Sequence, residues 1–248
     1  TAGHALMSAE AAALRTLVAD GIADAEFLAH ASLLVDAGVP ILISGPSDTL
    51  TTRVADAFAL ASPVPGAAQS GRDIEIESGH HFEWLADPTG IGCMDPLAGS
   101  APRSPRSSRL RIAGLLSGLD PVTARAALRA LSRGFPALIE ARGTGLAELL
   151  DALRADPHRV PEDDLRRLGI VLCLDETNLT AAHLMRSAET GDRRPPALLA
   201  VWDAARAVWD DFAWAAVPEL AERCGVPQAA YEVRHAERLQ ILEAGELQ

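Results

Sequence analysis

The stretch with the clearest chemical potential is Gly45-Pro46-Ser47-Asp48-Thr49-Leu50-Thr51-Thr52. It follows the apolar run Ile41-Leu42-Ile43, which is too short for a helix and suits a buried strand, and it precedes a helical stretch from Arg53 to Leu60. A chain that leaves a buried strand through a small-residue turn, here Ser44 to Thr52, and then enters a helix aims backbone N–H groups at whatever lies over the helix N-terminus. Anions are held there. The phosphate-cradling pattern for this arrangement is Gly-x-x-x-x-Gly-Lys-Ser/Thr. Gly45 and Thr52 match its two ends, while Leu50 replaces the second glycine and Thr51 replaces the lysine. A structural reading stands beside this one, in which Thr51 and Thr52 cap the following helix.

Other reactive side chains are sparse. The 22 basic residues are all arginine, against 34 acidic ones, for a formal net charge of −12. Without lysine there is no Schiff-base chemistry and no usual lysine to hold β- and γ-phosphates. The acidic balance argues against a general nucleic-acid surface, which needs clustered positive charge. Cys93, Cys173 and Cys224 lie far apart and make no Cys-x-x-Cys pair, so neither a zinc site nor a disulfide framework is indicated and a reducing cytoplasm is expected. No charged-then-apolar signal segment follows Thr1, and no run of about eighteen apolar residues could span a membrane. His80 and His81 fall on opposite faces of any strand and cannot share a metal. His30, on a helix face with Phe27 and Leu34, reads as a packed histidine. Arg103, Arg106 and Arg109 read as a solvated loop, with reach toward anionic partners as the alternative. Trp202, Trp209 and Trp214 form a cluster of the kind used for packing or for a partner surface.

The elements around these groups follow from periodicity. Helices are predicted over 8–20, 24–37, 53–60, 121–133, 146–154, 162–168, 217–223 and 227–244, with Ser8 and Asp24 as N-caps of the first two. Strands are predicted over 41–43, 73–77, 110–116, 137–140 and 170–174, with 80–85 as a hairpin partner of the second. Two more are expected at 178–187 and 197–202, and 86–108, rich in Pro, Gly and Ser, reads as a long loop. Alternating strands and helices predict an α/β fold with a mainly parallel, doubly wound sheet.

Several segments, in order, resemble the type II/IV secretion and pilus-assembly ATPases. "LLVDAGVPILISGPSDTLTTRVADAF" is similar to the strand and P-loop of their RecA-like domain, where the loop reads Gly-Pro-Thr-Gly-x-Gly-Lys-Thr-Thr. "DIEIES" at 73–78 resembles the acidic strand, with Glu77 at the carboxylate position, and "RIAGLLSG" at 111–118 resembles the Walker B strand. "AALRALSRGFPALIEARGTGLAELLDAL" at 126–153 is similar to the surroundings of the histidine box, and "EDDLRRLGIVLCL" at 162–174 to the next stretch of that domain. The likeness covers roughly residues 24–174.

The resemblance implies a RecA-like domain over 39–175, with N-terminal helices over 1–38 and a strand-and-helix appendage over 176–248. It also places nucleotide contacts at Gly45 to Thr52, Mg2+ at Thr52 and a catalytic carboxylate at Glu77. Its remaining chemistry is missing: Leu115 stands where the Walker B glutamate belongs, Ser117 where the following arginine belongs, and Arg142 near the box histidine. Phosphoryl transfer needs a cation on the phosphates, a magnesium anchor and a water-positioning carboxylate. The expectation is therefore a degenerate, non-hydrolysing structural or regulatory subunit that binds ATP and Mg2+ weakly if at all. The alternative is an active motor that uses arginine for the loop lysine. Expected partners are copies of this chain or an active paralogue, together with secretion or pilus components, in the cytoplasm or held at the inner membrane through them. No nucleic acid and no direct membrane span are expected.

Overall fold

The computed structural model describes residues 2–62, 73–82, 108–186 and 194–244, with the backbone alone for 2–10. The helices are α1 (Ala2–Ala19), α2 (Ala25–Asp36), α3 (Asp48–Ala61), α4 (Pro121–Ala130), α5 (Leu146–Arg154), α6 (Glu162–Leu165), α7 (Val217–Arg223) and α8 (Gln228–Glu243). The strands are β1 (Ile41–Gly45), β2 (Asp73–Ile76), β3 (Arg109–Ile112), β4 (Ala137–Arg142), β5 (Ile170–Leu174), β6 (Leu179–Leu184), β7 (Ala197–Asp203) and β8 (Val208–Asp211). They form one sheet in the order β2-β3-β4-β1-β5-β6-β7-β8. The first five in this order run parallel, and β6, β7 and β8 continue antiparallel.

Strands β1 and β5 are buried along their whole length because both their faces are covered, which is why they read as unbroken apolar runs. Ile41 and Ile43 join the core under α1, α2, α3, α7 and α8, whereas Leu42 joins the core under α4, α5 and α6. Adjacent side chains on a strand point to opposite faces, so one short segment anchors both layers. The first core holds Leu17, Phe27, Leu34, Leu220, Tyr231 and Leu242 together with β1. The N-terminal helices and the segment after 175 are thus packed into the same core as the central strands.

Several local expectations change. The turn after β1 is shorter than 44–52, because α3 begins at Asp48. The strand expected over 110–116 ends at Ile112, where Gly114, at φ 61°, starts a tight turn whose carbonyl accepts from the amides of Ser117, Gly118 and Leu119. Residues 80–82 are not strand, and 83–85 lie outside the described residues, as do 86–107. Arg109 is no loop residue: it opens β3, 5% exposed, clamping Asp73 at 3.0 and 2.9 Å and donating to the Ser62 carbonyl at 2.8 Å. Arg103 and Arg106 lie outside the described residues. Helix α1 extends N-terminal of Ser8, but Asp24 caps α2 as expected, accepting from the Phe27 amide. Strand β8 was not expected, and it pairs Trp209 directly with Trp202, ring centroids 5.2 Å apart.

Candidate functional site

Three residues spaced by four, Asp48, Thr52 and Asp56, share one side of α3. Facing them are Arg111 on β3 and Glu140 and Arg142 on β4, the last two being two residues apart and so on one face of the sheet. The pairs match along the helix. Arg142 clamps Asp48 with bonds of 3.0 and 2.6 Å, and Thr52 Oγ1 donates to Glu140 Oε2 at 2.5 Å. Arg111 bonds Asp56 at 2.6 Å and the second oxygen of Glu140 at 3.3 Å. The Asp48–Arg142 pair is exposed, while Glu140 is 6% exposed and the Arg111 side chain 13%. Burial opposes the charge on Arg111, but Asp56, Glu140 and Glu75 outweigh it and hold its pKa above the ordinary arginine value. The Arg142 guanidinium holds the Asp48 carboxyl below the usual carboxylate range.

At the C-terminal ends of β1, β3 and β4, Asp48, Thr52, Glu140 and Arg142 border a cleft of about 300 Å³, closed on its far side by Gly114, Ser117 and Gly118. That is the low end of the range for ligand pockets. A wider cleft of about 670 Å³ between α1 and α3 reaches Thr49, Arg53 and Leu60 on the neighbouring side of the same helix and is mostly apolar.

The expected phosphate residues take up tighter positions than an open loop would give. Gly45 is the last residue of β1, and a Cβ there would lie 3.0 Å from Leu174 Cβ and 3.1 Å from Thr51 Cγ2, so a larger residue would crowd both β5 and α3. Pro46 and Ser47 are the whole turn. Ser47 is the N-cap but makes no side-chain capping bond. The Thr51 amide already donates to the Ser47 carbonyl, and its hydroxyl donates to the Ser47 and Asp48 carbonyls at 3.2 and 3.0 Å. Leu50 and Thr51 are buried, and Thr49 is exposed. The first-turn amides up to Leu50 have no acceptor within the helix.

Glu77 lies just past β2, exposed, its carbonyl accepting from the His80 amide. Strands β3 and β4 separate β2 from β1. Ser78 ties the end of β2 to the turn after β3, donating to the Gly118 carbonyl at 3.0 Å. Leu115 is fully buried, and its amide donates to the Glu140 carbonyl at 2.8 Å, whereas Ser117 is exposed at the cleft. His80 meets Phe82 edge-on, and His81 is exposed. Glu140 and Arg111 were not singled out by sequence reasoning. A signal existed: each is a charged residue flanked on both sides by apolar ones within a strand, which is costly when buried unless paired across the fold.

No protein-family model and no characterised protein matches this chain.

Chemically, the cleft offers hard oxygen ligands from Thr52, Glu140 and Asp48, the type that Mg2+ takes. Each is engaged: Thr52 with Glu140, Glu140 with Arg111, Asp48 with Arg142. A phosphate or Mg2+ held by these groups would have to break the exposed Asp48–Arg142 clamp or the Thr52–Glu140 bond. Among the described residues no helix is long and apolar enough to cross a membrane.

Proposed function

We propose that this chain is a non-hydrolysing relative of the secretion and pilus-assembly ATPases that serves as a structural or regulatory subunit. The observation that carries this reading is the internal pairing at the cleft, where Asp48, the first residue of α3, is clamped by Arg142 beside the turn that the resemblance assigns to phosphate. The placement of β1 between β4 and β5, with β3 next to β4, supports a RecA-like core. Buried Leu115 can neither orient a water nor accept its proton, so the barrier to hydrolysis stays high. A subunit role draws support from the exposed Val208 on the strand β8 at the end of the sheet and from Phe212 and Trp214, 70% exposed, shortly after it in the chain. Apolar groups gathered in this way mark association surfaces.

Calorimetric titration with MgATP, a steady-state phosphate-release assay and light scattering test the proposal together. The expected results are no tight nucleotide binding, no turnover, and association with itself or with a co-purifying paralogue. Turnover near about one per second, within the ordinary enzyme range, that is abolished by Glu77→Gln would refute the reading and favour an active motor. A strict monomer at high concentration with no paralogue bound would remove the subunit role.

A further inference from the structure

Away from the cleft, α2 and α8 bring together three potential metal ligands from opposite ends of the chain. Glu26 and His30 lie one helical turn apart on α2, and His235 reaches them from α8. One ligand atom from each lies within 4.8 Å of the other two. We propose that Glu26, His30 and His235 bind a divalent transition-metal ion of the Zn2+ class, which pins α8 to α2.

Two imidazoles and a carboxylate are the donor set that zinc takes when three protein ligands leave a fourth position for water. The surrounding residues provide what such a site needs. His30 is 4% exposed, and its Nδ1 is bonded to the Tyr231 hydroxyl at 2.8 Å, which leaves Nε2 as the ligand atom. A partner on the second ring nitrogen fixes the orientation and tautomer of ligating histidines. Tyr231 is itself one turn from His235 on α8, 1% exposed, so ligand and positioning residue arrive on the same helix. The Glu26 side chain is 41% exposed and supplies an entry path.

The His30 and His235 rings are stacked, centroids 3.7 Å apart and planes 17° from parallel. Lone pairs in nearly parallel planes do not converge, so one ring must turn on binding. His235 is the less buried of the two rings, its side chain 12% exposed, and its Nε2 makes one long bond of 3.3 Å, to the Glu26 carbonyl. Its Nε2 stands 3.8 Å from Glu26 Oε1, against about 3.3 Å between tetrahedral ligands around zinc, so this pair starts near ligating separation.

The test uses tag-free, metal-free full-length protein titrated with Zn2+ by calorimetry, with Co2+ absorption to read the geometry. One equivalent should bind, with the intense visible bands of four-coordinate Co2+. At a hundredfold excess over Kd the melting midpoint should rise by about 5 to 10 °C. Tyr231→Phe should weaken binding about 10- to 100-fold through the lost positioning contact. Glu26→Gln and His235→Gln should each abolish the Co2+ bands. If His235→Gln fails to fold, the exposed Glu26→Gln decides alone. No saturable binding, or binding and spectra unchanged in Glu26→Gln, overturns the proposal.

Discussion

Replacing Glu140 with glutamine is the sharpest probe of how α3 is held on the sheet. The substitution keeps the side chain's size and an acceptor for Thr52, and it removes the negative charge 3.3 Å from Arg111. At an effective dielectric of 20, that attraction is worth about 5 kcal/mol. Burying the carboxylate offsets several kcal/mol of it, leaving a net loss of about 1.5 to 3 kcal/mol, the usual value of a hydrogen bond to a charged group. Arg111 keeps Asp56, but the Asp56 side chain is 56% exposed and compensates weakly. For a chain of this length the melting midpoint should fall by about 3 to 12 °C. Glu140→Ala, which also removes the Thr52 acceptor, should cost about 3 to 5 kcal/mol. Thermal and urea unfolding of Glu140→Gln, Arg111→Met and the double variant give the coupling energy directly, expected at about 1 kcal/mol or more. Coupling within about 0.5 kcal/mol of zero would show that the charges face each other without holding the helix, and the account of the site as an internally satisfied network would fall.

Asp48→Ala should change stability by less than about 1 kcal/mol, because its ion pair is exposed. It should also free Arg142 and the helix N-terminus, so phosphate or MgATP affinity, read by calorimetry, should rise above that of the parent chain. No rise would mean that the ion pair is not what closes the cleft to anions. Burial pushes the His183 imidazole below its ordinary pKa. The unfolded chain therefore takes up a proton near pH 6.5 that the folded one resists, so stability is complete above about pH 6.5 and is lost as pH falls through that value. Urea midpoints at pH 8 and pH 5.5 should show this loss reduced in His183→Gln. His30, pushed down to about 3, and His158 act with the same sign and keep the loss from vanishing.

The sequence by itself determined the parts that depend on short-range pattern. The runs Ile41-Leu42-Ile43 and Ile170 to Leu174 are apolar at every position, which only a strand covered on both faces requires, and both are central strands. Helix α5 was legible to the residue, since Leu146, Leu149, Leu150 and Leu153 fall on one face. Asp24 announced the start of α2 through its capping chemistry. The stretch from Gly45 to Thr52 was located between strand and helix, but its shape was not. Whether α3 begins at Asp48 or near Arg53 depends on burial of Leu50 in the core shared with residues far along the chain.

The tertiary structure alone decided what surrounds that helix. Glu140, Arg111 and Arg142 read locally as charges interrupting strands, and only the parallel register of β3, β4 and β1 sets them opposite Thr52, Asp56 and Asp48. The same holds for His235, which lies far along the chain from Glu26 and His30 and joins them where α8 returns across α2. Periodicity reports which face of an element is buried. It carries no information on which other element buries it, because that choice is made by the summed packing of the whole chain.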